Sequence, residues 1–382
     1  MEKVVYIVHC IDTEGPLKEN IHATFERLKE LFGIELCPTY ETLKKLQDQS
    51  IDLNGIEKDV ATLVSNKLLS YYDTWSLLDN MLDELLSKKF RNQLLDSYGN
   101  GWIYNWHCLD HAGFSENPRH RDLGFHNIFD HYMEILERTS SSQDGVHFHH
   151  HPVPFNKEAH HPATHFFSHT PVIFEIIARK IIERKWFPSV NRPGFHSTRP
   201  DSHWFLEQFI PFDIANQKTN DNDSNYKDLA DGRFGDWRRA PDNWEPYHPS
   251  HDDYQKKGDC RRWIGRSLNL GARARLLKES DVEQAFKEAE LGKPVLLSFN
   301  HHDFRDMRPD IIQVQDMVKK ASKKFADVNF CFCEARDGMR RVLDLEEKSP
   351  IKFEIKFDNN KLKVATDKPT FGPQPFLAIK TK

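Results

Sequence analysis

The sequence predicts an α/β fold, a parallel sheet or barrel carrying a helical insertion and a small C-terminal β appendage. Short β-branched and aromatic runs alternate with helical periods along the chain, which is the order of a parallel sheet or barrel. Polar clusters sit at the carboxyl end of one run after another. Composition bounds the alternatives. Of 382 residues, 29% are charged and 38% hydrophobic, too apolar for a disordered chain, and the apolar runs are too short to cross a bilayer. With 53 Lys and Arg against 58 Asp and Glu, and no basic stretch beside exposed aromatics, no nucleic-acid partner is expected.

The elements follow in order. Val4-Val5-Tyr6-Ile7-Val8 reads as a strand buried on both faces and ends at His9-Cys10-Ile11-Asp12. Because the chain opens on this strand, no signal peptide and a cytoplasmic location are expected. Six scattered cysteines without a C-x-x-C are expected to be reduced. Residues 17–100 read as the helical insertion: Ile21 to Phe32 closes at Gly33, and Leu78, Met81, Leu82, Leu85 and Leu86 repeat with helical spacing. Trp102 to Trp106 is a second strand, Asn127 to Arg138 a helix, and Val146-His147-Phe148 a third strand. Pro171 to Lys185 is helical, a short strand enters Asn191-Arg192-Pro193-Gly194, and a helix from Trp204 to Phe209 precedes a strand at Phe212 to Ala215. Residues 217–260 lack periodicity and read as a long functional loop region. Ser280-x-x-Glu283 is the capping box of a helix ending at Gly292. Val295 to Phe299, a helix over 311–325 and a strand at Val328 to Cys333 complete a barrel unit of residues 1–344. In the 351–382 appendage, Ile351, Phe353, Ile355 and Phe357 alternate with charged residues before an Asp358-Asn359-Asn360 turn, the pattern of a hairpin.

Four clusters close predicted strands: Asp12-Thr13-Glu14, His147 to His151, Arg192-Pro193-Gly194 and His301-His302-Asp303. That edge is where parallel α/β folds bind ligands. The chain has 21 histidines, residues that ligate metals and move protons near neutral pH. No G-x-S-x-G, phosphate-binding loop, H-E-x-x-H or dinucleotide fingerprint competes with this reading.

In this order the clusters resemble the motifs of the polysaccharide deacetylase superfamily, the carbohydrate esterase family four type with a nodulation-deacetylase homology domain, which implies that family's distorted (β/α)7-8 barrel. Ile11-Asp12-Thr13-Glu14-Gly15-Pro16 is similar to the first motif, which implies Asp12 as catalytic base and Glu14 as metal ligand. Gly145 to Pro152 resembles the second, whose metal-binding histidines stand four apart; His147 and His151 meet that spacing, with His149 the alternative inside the run. Asn191-Arg192-Pro193-Gly194 resembles the third, with Arg192 orienting the base. Trp237 and Trp244 are the candidates for the fourth, an aromatic wall against a sugar. Leu297 to His301 resembles the fifth, which implies His301 as general acid, a role for which His302 competes. Two features depart from the family: the first motif lacks adjacent aspartates, and the second lacks Ser or Thr after its first histidine.

The resemblance implies one divalent transition metal, Zn first and Co, Mn, Ni or Fe as alternatives. It implies a hydrolase that removes an N- or O-acetyl group from a sugar in surface-polysaccharide (O-antigen) biosynthesis, the sugar nucleotide- or lipid-linked. Arg119, Arg121, Arg238 and Arg239 are candidates to meet phosphate, against the alternative of a solvated surface. The competing functions are an allantoinase-like hydrolase of a non-sugar amide and a non-catalytic carbohydrate-binding barrel. Asp110 and His111 close the second strand either as an acid and base or as a loop anchor. His149, His150, His160, His161, His165 and His169 exceed what one metal centre needs.

Overall fold

The structure, a computed structural model, describes residues 2–154, 156–159, 171–198, 200–219, 235–345 and 349–381. Seven parallel strands close a barrel: β1 (Val4–Thr13), β2 (Tyr104–Leu109), β3 (Gly145–His150), β4 (Val190–Pro193), β5 (Phe212–Asn216), β6 (Trp263–Asn269) and β7 (Val295–His302). β1 is long enough to serve three neighbours. It pairs with β7 over most of its length, with β2 through His9–Thr13, and with β8 (Asn329–Phe332) through Val4–Ile7. Helices α1 to α6 lie between β1 and β2 (Ile21–Phe32, Tyr40–Gln47, Glu57–Leu63, Asn66–Leu69, Trp75–Leu85, Lys88–Arg91). α7 (Asn127–Arg138), α8 (Val172–Arg184), α9 (Pro200–Phe209), α10 (Glu279–Glu290), α11 (Arg308–Lys324) and α12 (Ala335–Val342) follow later strands.

Strand parity sorts the side chains into two cores. Inward-facing Val8, Cys10, Val190, Phe212, Ile214 and Leu296 fill the lower barrel, and Ala335, Met339 and Val342 of α12 close its floor. Outward-facing Val5, Ile7, Ile11, Leu297 and Phe299 pack under α5, α10 and α11. Each fully buried aliphatic or aromatic side chain contributes about 1.5–3 kcal/mol, so the barrel wall is held from both faces. The upper lumen is polar instead: Asn300 donates to Asn269 (2.7 Å), and Gln217 donates to Asn300 (3.1 Å).

The insertion has two parts. Phe25, Leu28, Leu46, Val60 and Leu63 of the first three helices, with Val64 just after them, form a small core of their own. α5 buries Leu78, Met81, Leu82 and Leu85 directly on the barrel, as its spacing predicts. α1 begins at Asn20, whose side chain accepts from Ala23 N (2.9 Å), and stops at Gly33 with φ 68°.

Three expectations need correction. β6 lies just past the stretch read as loop; its Gly265, Arg266 and Asn269 disguise it, yet Arg266 is buried against Asp281 (3.1 Å) and over the Trp244 ring (4.3 Å). α10 opens at Glu279, and Asp281 accepts from Lys278 N (2.9 Å), so the Ser280–Glu283 box is not its cap. Only part of the appendage protrudes: β9 (Phe353–Asp358) and β10 (Lys361–Thr366) form an exposed hairpin across Asn359 and Asn360, both at positive φ. Beyond it the chain returns to the barrel, where Phe376 packs against Phe209 (5.1 Å), Phe187 (6.1 Å) and Phe174 (6.3 Å).

Candidate metal centre

The strand ends decide which groups reach the barrel mouth. β1 sends Cys10 and Asp12 inward and His9 and Ile11 outward; His9 accepts a hydrogen bond from the Trp102 indole (3.0 Å), so no Cys10–His9 dyad forms. Beyond β1 the backbone turns at Gly15 (φ 70°), where a Cβ would press on the Trp75 ring at 3.0 Å. Asp303 fixes this turn: its Oδ1 accepts from Glu14 N (3.0 Å), its Oδ2 from Gly15 N (2.9 Å), and Tyr132 donates to it as well (3.0 Å). Burial pushes the Asp303 carboxyl up to about 7 despite these donors. Glu14 is thereby held at the mouth.

On β3, His147 and His149 share a face one layer apart, and His151 follows just beyond the strand. The layers meet different partners. His147 pairs across the sheet with His107, low in the barrel, and its Nε2 lies 3.1 Å from Asn105 Oδ1 and 3.0 Å from Glu334 Oε1. Both partners only accept, so this nitrogen carries a proton and has no lone pair for a cation. His149 pairs with Arg192, and its Nδ1 donates to the Arg192 carbonyl (2.7 Å), which leaves its Nε2 lone pair pointing into the mouth. That lone pair lies 3.0 Å from His151 Nε2.

Glu14, His149 and His151, all buried, each offer one ligand atom, and these atoms lie within 4.8 Å of one another. The structure therefore brings together Glu14 and His151 as expected, and replaces His147 with His149. The four-residue spacing that selected His147 crosses two layers of a straight strand, whereas the adjacent layer is His149. Two imidazole nitrogens converging with a carboxylate fit one divalent transition metal. Supporting contacts hold each ligand. His111 donates to the Glu14 carbonyl (3.3 Å), and Arg121 Nη2 lies 2.5 Å from Glu14 Oε2. Gly194 passes so close to His151 that a Cβ there would collide with its ring.

Asp12 lies beside this triad, with its Oδ1 2.6 Å from Arg192 Nε and 3.9 Å from His149 Nδ1. Arg192 is fully buried; it donates to the Ile214 carbonyl (3.1 Å) and to His196 Nδ1 (2.7 Å). Phe195 and His196 both sit at φ near 50° (53° and 51°), a conformation that costs roughly 1–3 kcal/mol per residue and is kept where a site needs the side chain there. At the end of β7, parity again separates neighbours. His301 points outward, to Asp310 of α11 (3.2 Å), and His302 points inward, with Nε2 3.8 Å from both Asp12 Oδ2 and Glu14 Oε1. His302 is the histidine of this pair that faces the site. Burial, then the Arg305 charge, holds its imidazole well below the usual range.

Searches against protein-family models, curated proteins and solved structures give no match to this chain. The site stands on its own geometry.

The other candidates fall elsewhere. Trp237 and Trp244 are fully buried, their indoles donating to the His196 and Asp281 carbonyls (2.9 and 3.1 Å), so neither offers a face to a sugar. Asp110 accepts from His126 N (2.6 Å) and pairs with Lys180 (3.0 Å), which makes it a loop anchor. Arg238 and Arg239 are exposed and paired with Asp236 and Asp253 (2.8 and 2.7 Å). His150 is buried and stacks on Phe148. His160, His161, His165 and His169 lie outside the described residues. Sequence reasoning missed His196, named Arg121 only as a candidate for phosphate, and gave Asp303 no role of its own. Asp303 follows His302 in the cluster at the end of β7, and its place there was the available signal; His196 carries no motif. All six cysteines are free thiols, five of them buried.

Proposed function

We propose that the chain is a metal-dependent hydrolase that removes an acetyl group from an amino sugar or an O-acetylated sugar. The observation that carries this reading is the convergence of Glu14, His149 and His151 beside the Asp12–Arg192 pair at the carboxyl edge of the barrel. A divalent transition metal held by these three ligands would polarise an acyl oxygen and lower the pKa of a water toward 7. The chain's own residues then divide the proton work. Asp12, aimed by Arg192, accepts the proton of the attacking water. His302, neutral at rest and facing Asp12 at 3.8 Å, takes up that proton once the two groups close to hydrogen-bond distance and passes it to the departing amine or alkoxide. The motif resemblance supports the acyl-sugar substrate class, and the expected nucleotide- or lipid-linked substrate in the cytoplasm belongs to the same proposal.

The test is acetate release from N- and O-acetylated hexosamines by metal-loaded protein. Asp12→Asn and His302→Gln are expected to lower kcat by 100-fold or more, about the size of a lost acid–base group, with metal content unchanged, while His301→Gln stays within about threefold of wild type because that ring faces α11. Release that survives Asp12→Asn would overturn the proposal.

A further inference from the structure

Beside the metal triad, two of the described arginines reach no carboxylate. Among the described residues, Arg27 and Arg119 share Glu19 (2.6 and 3.3 Å), Arg121 takes Glu14 (2.5 Å), and Arg273 and Arg305 reach the Tyr71 hydroxyl (3.1 and 3.4 Å), Arg305 also reaching the Leu68 carbonyl. Among the described residues, Arg273 and Arg305 thus meet no carboxylate, and Arg121 meets one that is itself a candidate metal ligand. Asp310, the acid of the neighbouring α11, is already engaged by Lys67 (2.7 Å) and His301 (3.2 Å). The cluster is continuous with the site: Arg121 and Arg305 each lie 4.9 Å from the Phe304 ring, and that ring lies 5.0 Å from His302. Arg121 Nε and Nη1 and Arg273 Nε are buried without a hydrogen-bond partner among the described residues.

Burying a guanidinium without an anion costs several kcal/mol. Evolution of a site tolerates such a charge where a ligand completes it. Burial together with the Arg27 charge lowers Arg119 to about 9 and Arg273 to about 10, and the surrounding arginines bring Tyr71, against its burial, down to about 8. These shifts record the crowding of the guanidiniums. Arginine forks match tetrahedral phosphate oxygens through paired N–H donors.

We propose that Arg121, Arg273 and Arg305, with Tyr71, form a subsite that binds a phosphoryl group of the substrate next to the reacting acyl group. This rests on the barrel mouth being the catalytic site and deepens that reading by naming the anion. The helical insertion, which supplies Arg27, Leu68 and Tyr71, is then one wall of the substrate pocket.

Calorimetric titration of the metal-free protein with inorganic phosphate, pyrophosphate and acetate tests it. Phosphate or pyrophosphate is expected to bind, and Arg273→Gln and Arg305→Gln each to weaken binding by about tenfold, the value of one charge-assisted contact. Arg273→Lys retains part of the affinity, and unchanged circular dichroism shows that the variants fold. A preference for pyrophosphate marks a diphosphate-linked substrate, and equal binding marks a phosphate monoester. His149→Ala, which removes a metal ligand, is expected to leave anion binding within about threefold, so loss of the metal centre and loss of the subsite are read separately. No binding by the wild-type protein, binding of acetate alone, or binding unchanged in both glutamine variants would overturn the subsite while leaving the hydrolase reading to its own assay.

Discussion

Glu19 shows how a single buried carboxylate holds two cations in place at the barrel mouth. It binds Arg27 through both oxygens (2.7 and 2.6 Å) and reaches Arg119 as well. Burial pushes its carboxyl up, but the Arg27 charge and hydrogen bonds outweigh that and bring it down to about 2. A depressed carboxylate stabilises the fold fully above its unfolded value and loses that contribution as pH falls through its folded one. Glu19→Gln is expected to cost about 3 kcal/mol near neutral pH. Urea titrations should show the gap to wild type narrowing as pH drops from about 4.5 toward 2; a gap independent of pH would contradict this assignment. At this scale the sequence showed which residue types gather at the strand ends, and Asp12, Glu14, His151 and Arg192 do meet. It could not fix the last inward-facing position of a strand to one residue, which is what separates His149 from His147 and His302 from His301.

Elements follow the same logic of what their surroundings supply. Helices with an apolar face, such as α5, were legible because burial imposes a period on the sequence. β6 was not legible, because Arg266 satisfies its charge on Asp281 and Trp244 only after the fold has formed. The tryptophans misled for a related reason: a loop-rich stretch suggested exposure, yet their indole N–H groups find carbonyl partners in the core. The C-terminal segment divides into a hairpin with all strand residues exposed and a tail anchored by Phe376. Replacing the 351–367 hairpin by a short flexible link is expected to change unfolding free energy by less than about 1 kcal/mol, whereas Phe376→Ala should cost about 2 kcal/mol by leaving a gap over α8 and α9. Chemical denaturation distinguishes the two; equal losses would mean that the hairpin also packs on the barrel.

For the whole molecule, one barrel places a candidate metal triad, the Asp12–Arg192 pair and a row of arginines on the same rim, and the long β1 strand ties these to the floor closed by α12. No helix of the described residues is long and apolar enough to cross a membrane. Metal bound to the folded state and not to the unfolded chain must stabilise the fold, by about 2.7 kcal/mol at a hundredfold excess over its dissociation constant. Chelator treatment is therefore expected to lower the melting temperature, and re-addition of zinc to restore it, with the shift absent from Glu14→Ala. The most direct test is elemental analysis of bound metal per chain in tag-free wild-type protein and in Glu14→Ala, His149→Ala and His147→Ala. The geometry predicts about one transition-metal ion in the wild type, its loss in the Glu14 and His149 variants, and its retention in the His147 variant, because that imidazole is committed to Asn105 and Glu334. Metal retained in His149→Ala and lost in His147→Ala would contradict the centre described above.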